Sequence, residues 1–120
     1  MLLEDIRENL CFVIAPQTNL SKQIKKSGQA LMVKIPWENI LVTVTRWHGE
    51  TNFRVAPLHA PNDSYELGPL IAALERRHVS EHDVANDLAS AANLLRPRLL
   101  DLNNAFSEQQ YGQTKDTLSK

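Results

Sequence analysis

Seven apolar residues, Val84, Leu88, Ala91, Leu95, Leu99, Leu102 and Phe106, recur at spacings of four, three, four, four, three and four. Those spacings line one face of an α-helix. The line crosses Pro97, where a helix kinks or breaks because proline lacks an amide hydrogen and crowds the preceding turn. A face of about 33 Å at helical rise must lie on apolar surface, either the chain's own sheet or another protein. A three-stranded sheet offers only about 10 Å between its outer strands. Val84 to Leu95 is therefore expected to cover the sheet, and Leu99 to Phe106 to overhang it and receive a partner. The one-residue shift across Pro97 departs from a strict heptad, which argues against a left-handed coiled coil.

The sheet is read from the middle of the chain. Leu31, Val33, Ile35 and Trp37 alternate with less apolar residues, and Ile40, Val42 and Val44 alternate with Leu41, Thr43 and Thr45. In His48-Gly49-Glu50-Thr51, Gly49 suits the first central position of a type II′ hairpin turn. That turn would pair Arg46 with Phe53, Val44 with Val55 and Val42 with Pro57, which puts the apolar sets of both strands on one face. The expected core is a three-stranded antiparallel meander over 30–36, 39–48 and 51–59. Before it come an amphipathic helix over 2–10, an apolar run over 11–15 that fits helix or strand equally, and a short basic helix from Asn19 to Gly28. After it, Gly68-Pro69 opens a helix reaching about Arg77. Ser80 and Asp83 form a capping box for a helix running to Leu95, and a further segment from Pro97 reaches 106–109. The fold class is α+β, with the C-terminal helices packed on one sheet face. Residues 1–111 read as a single domain and 112–120 as a flexible polar tail.

Charge is close to balanced, at −1 formally, which argues against a dedicated nucleic-acid binder. No apolar stretch approaches a membrane span, and Glu4 and Asp5 stand where a signal peptide needs positive charge. Cys11 is the only cysteine, so no intrachain disulfide forms, and its apolar neighbours make it a buried, inert thiol. The chain reads as cytoplasmic.

Three constellations resemble chemistry. His78-Val79-Ser80-Glu81-His82 matches H-x-x-E-H, in which two histidines hold zinc and the glutamate acts as base. Zinc binding needs both histidines on one helix, and Ser80 as N-cap would leave His78 outside it, so no metal is assigned to His78, Glu81 and His82. His48 and Glu50 could pair as acid and base at the hairpin tip, where a solvated turn is the simpler account. His59, Asp63 and Ser64 supply the residue types of a hydrolase triad without the strand-to-helix elbow that exposes its serine, and helix capping accounts for Asp63 and Ser64. No glycine-rich phosphate loop is present, and no cofactor is implied.

The outward face of the hairpin carries Leu41, Trp47, Ala56 and Leu58. Apolar residues on both sides of a sheet imply a second cover or a binding patch, and tryptophan is enriched at binding hot spots. The expectation is a small protein–protein interaction module of the adaptor, secretion-chaperone or toxin-neutralising type, acting as a homodimer. Its partner-binding residues are Trp47 and Leu58 on the sheet and Leu95, Leu99, Leu102 and Phe106 on the helix. The alternatives are a metal-dependent hydrolase using the 78–82 pattern, and a small-ligand-binding domain with a pocket lined by Trp37 or Trp47.

Overall fold

A computed structural model describes residues 2–10, 24–27, 30–47, 50–76, 78 and 88–118. The elements run α1 (Leu2–Leu10), β1 (Ile24–Ser27), β2 (Ala30–Trp37), β3 (Ile40–Trp47), β4 (Glu50–Pro57), β5 (Tyr65–Glu66), α2 (Leu67–Leu74), α3 (Leu88–Leu95), a 3₁₀ turn (Arg96–Arg98), α4 (Leu99–Ala105) and α5 (Tyr111–Leu118). The fold is α+β. The sheet is an antiparallel meander in the order β1-β2-β3-β4-β5, in which β5 adds only two residues to four full strands.

The fourth strand corrects the expected basic helix. Residues 24–27 pair with β2, Ile24 opposite Val33 and Ser27 opposite Ala30. The extended pairing satisfies backbone groups along the outer side of β2, which a helix there would leave open. The run 11–15, the start of the expected basic helix and the Ser80–Asp83 capping box lie outside the described residues.

Cross-strand neighbours share a face, so one face stacks Val33, Val44 and Phe53 in one row and Ile35, Val42 and Val55 in the next. The hairpin register differs from expectation by two residues: Val44 faces Phe53, Val42 faces Val55 and Ile40 faces Pro57. A shift of two keeps every side chain on its expected face. It also places Phe53 against Val44, where the expected register would set it against Arg46. On the other side of β3 the register closes on a two-residue turn, with Glu38 at φ 51. That left-handed conformation suits glycine and costs a residue with a Cβ about 1 kcal/mol or more.

This apolar face carries the helical layer. Val33, Ile35, Val42, Val44, Phe53 and Val55 form one core with Ile6 and Leu10 of α1, Leu67, Leu70 and Ile71 of α2, and the residues of α3 and α4. The stripe runs through it from Leu88 onward; Val84 lies outside the described residues. Leu88, Ala91, Leu95, Leu99, Leu102 and Phe106 are all buried. Pro97 is accommodated by tightening one turn to 3₁₀, and Leu95 (φ −76, ψ −44) and Leu99 (φ −60, ψ −46) on either side keep helical dihedrals.

The overhang is therefore corrected. Leu95, Leu99, Leu102 and Phe106 are core residues of this chain, not a free surface. α3 is covered by α1 and α2, and two further features depart from expectation. The sheet is wider than three strands, and residues 111–118 form α5 where a frayed tail is expected from Gly112. Phe106, beneath it, is 0% exposed.

Candidate functional site

Three places in the fold could act on something outside the chain. The first is the sheet face turned away from the helices. Register places Met32, Thr45 and Asn52 in one row of that face, Lys34, Thr43, Arg54 and Glu66 in the next, and Trp47 beside Glu50 at the hairpin end. None of these described residues belongs to the helix-covered core. Leu41 and Ala56, paired across β3 and β4, are buried on it, whereas Trp47 is 53% exposed. Leu58, 43% exposed, follows the other end of β4. Strand rise separates Leu58 from the Trp47 end by roughly 25 Å, so the two do not form one patch. A third exposed apolar residue, Leu100 at 70%, escaped the sequence reading because it falls off the α4 stripe.

The second place is the corner where the β4–β5 connection meets α5, and it holds the residues of the supposed triad. Tyr111 OH donates to Asp63 Oδ2 at 3.0 Å. Because that donation uses the only phenolic proton of Tyr111, the 2.8 Å contact between the two tyrosine oxygens has Tyr65 donating to Tyr111. The relay thus runs Tyr65 to Tyr111 to Asp63, and Lys115 Nζ stands 3.7 Å from the same carboxylate oxygen. Burial, followed by the bonds to Tyr65 and Asp63, pushes the Tyr111 phenol far above its ordinary range. Ser64 is engaged separately: Arg54 Nε donates to its Oγ and Arg54 Nη2 to its carbonyl, both at 2.8 Å. His59 Nε2 donates to the Phe106 carbonyl at 3.2 Å.

Each member of the supposed triad therefore serves a different partner, and among the described residues Ser64 Oγ bonds Arg54 while His59 bonds the Phe106 carbonyl. Nor do Asp63 and Ser64 cap a helix, since the N-cap of α2 is Glu66, without a side-chain cap. The relay that the sequence reading missed links the only two tyrosines in the chain. Their composition was visible, but a separation of 46 residues falls within no local period.

The third place is a groove of about 310 Å³ between α2 and α4, with Ile71, Leu74, Leu102 and Ala105 as its apolar lining. Its charged lining residues are Asp101 and the ion pair Arg98 Nε–Glu75 Oε1 at 3.1 Å. Neither Trp37 nor Trp47 lines it, contrary to the expected ligand pocket. Of the zinc-like pattern, His78 is exposed, and Glu81 and His82 lie outside the described residues. Among the described residues no three His, Cys, Asp or Glu side chains gather as metal ligands, and no helix is long and apolar enough to cross a membrane.

Compared with protein-family models, curated proteins and solved structures, the chain matches none. Its class therefore rests on the fold alone: an α+β domain with one sheet face under helices and the other turned outward.

Proposed function

We propose that the chain is a cytosolic protein–protein interaction module of the adaptor, secretion-chaperone or toxin-neutralising kind, and that it acts as a homodimer through the outward sheet face. Trp47 carries the proposal. A tryptophan left 53% exposed at the end of a sheet has large apolar area to bury, and this residue type dominates binding hot spots. The half-buried Met32, Thr43 and Thr45 continue the same face from it, flanked by Lys34, Glu50 and the Arg54–Glu66 ion pair. Both signs on one patch suit an isologous interface, in which the patch meets itself across a two-fold axis. Leu95, Leu99, Leu102 and Phe106 take no part, because they are already buried.

Sedimentation equilibrium at micromolar concentration tests the proposal. A dimer is expected for the natural chain, with a melting temperature that rises with concentration, and for Trp47→Ala a folded monomer whose melting temperature does not depend on concentration. A natural chain that sediments as a monomer removes the homodimer, and an unchanged dimer in Trp47→Ala removes the sheet face.

A second reading, small-ligand binding, draws on the α2–α4 groove. Its volume is at the lower end of that of ligand sites, and an apolar lining with a few polar groups is their usual make-up. The fluorescent probe anilinonaphthalene sulfonate should bind the native chain there, and Ala105→Trp, which fills the groove, should abolish that binding without lowering the melting temperature.

A further inference from the structure

We propose that α5 is a releasable strap, which undocks as a unit while the sheet and helices α1–α4 stay folded, and thereby uncovers the aromatic site at Phe106.

The helix is weakly held by apolar burial: only Tyr111 and Thr114 of its residues are buried, the rest being exposed or partly so. It is also intrinsically weak. Gly112 lies in its first turn, and nothing stands within 4 Å of where a Cβ would be. No close approach therefore requires glycine, and glycine in a helix favours the unfolded segment.

The apolar hold on α5 is confined to the Tyr111 ring, a member of the core, and to Leu118 packed against its edge; the rest of the seal is polar and directional. Tyr111 donates to Asp63, Thr114 Oγ1 donates to the Ala105 carbonyl at 2.7 Å, and Lys115 pairs with Asp63. Water can replace such bonds once the helix lifts, so they cost less to break than an equal area of packed hydrocarbon.

The connection to α4 is self-contained. Ser107 Oγ donates to the Asn104 carbonyl and accepts from the Gln110 amide. These bonds hold the turn to itself and to the end of α4. Among the described residues its one side-chain bond to the sheet side, from His59 Nε2 to the Phe106 carbonyl, lies before α5, so α5 can lift without breaking them.

Beneath the strap lies the aromatic group. The Phe106 ring centroid is 5.6 Å from Tyr111 and 6.0 Å from Tyr65. Lifting α5 removes Tyr111 from this cluster and opens a face of Phe106 beside Tyr65. Segments of low local stability are where proteins place their moving parts. This device is separate from the sheet-face reading: Trp47 lies on the opposite side of the sheet, and either can fail alone.

Native-state hydrogen exchange of the full chain, read by mass spectrometry, tests the strap. Amides of 111–118 are expected to exchange at least about 100-fold faster than those of β2–β4, through local opening. Tyr111→Phe should speed exchange in α5 by roughly tenfold and Gly112→Ala should slow it about threefold, whereas Ile35→Val, fully buried in β2, should speed exchange of the sheet about fivefold and leave that of α5 unchanged, because the strap-open state keeps the sheet folded. Because Gly112 is exposed, its alanine variant remains informative even if Tyr111→Phe folds poorly. Exchange of α5 in step with the sheet, or an Ile35→Val variant that speeds both regions equally, would overturn the proposal.

Discussion

Helices α2 and α5 are both eight residues long and pack against each other, yet they are attached to the molecule in opposite ways. α2 buries Leu67, Gly68, Leu70, Ile71 and Ala72, whereas α5 buries Tyr111 and Thr114. Apolar burial is non-directional and is lost only when the whole core opens. A hydrogen-bonded seal can open locally, because each of its bonds has a replacement in water. Secondary structure therefore says little about which parts of this fold are permanent. What lies under the helix decides it.

Substitutions can break the contrast in order of size. Ile71→Ala, at a residue 1% exposed, should cost about 2–5 kcal/mol, seen as a lower urea midpoint for the whole chain with α2 and the sheet unfolding together. Tyr111→Phe should cost about 1–2 kcal/mol, felt in α5 first. It should also change the pH profile. The docked phenol holds its proton more tightly than the ordinary value near 10, so stability is fully present below about pH 10. Above that, the unfolded chain releases a proton that the folded chain keeps, and stability falls by about 1.4 kcal/mol per pH unit. The slope difference between the natural chain and Tyr111→Phe, measured by urea titration in alkaline buffer, isolates this term.

Gly112→Ala should have the opposite sign and stabilise α5 by about 0.5–1 kcal/mol. An unchanged or lower melting temperature would mean that the glycine meets a need its open surroundings do not reveal. Lys115→Ala should lie within about 0.5 kcal/mol of the natural chain, since its ion pair is exposed to water.

The same distinction explains what could be read from the chain itself. Alternation over 31–57 and the stripe over 88–106 announced the sheet face and the helical layer, because packed apolar residues repeat with the period of their element. Even the hairpin, misplaced by two residues, kept its faces. The placement of Leu99 and Phe106 at an interface failed for lack of a visible cover. α5 has no apolar period to reveal it, and its anchor Tyr111 depends on Asp63 and Tyr65, nearly fifty residues earlier. Strand β1 was obscured for a related reason: in Ile24-Lys25-Lys26-Ser27, pairing with β2 outweighs local preference. Trp47 was legible as an outward residue, since parity alone determines its face.

Tyr65 and Tyr111 are the only tyrosines in the chain, and both belong to one relay, so the protein carries its own optical gauge. Half of its phenol chromophore belongs to Tyr111, which ionises reluctantly while α5 is seated. In an alkaline absorbance titration without any label, the late-appearing share of the tyrosinate band would measure how firmly that corner is closed. Any additive or partner that loosens the corner would bring that share forward to lower pH.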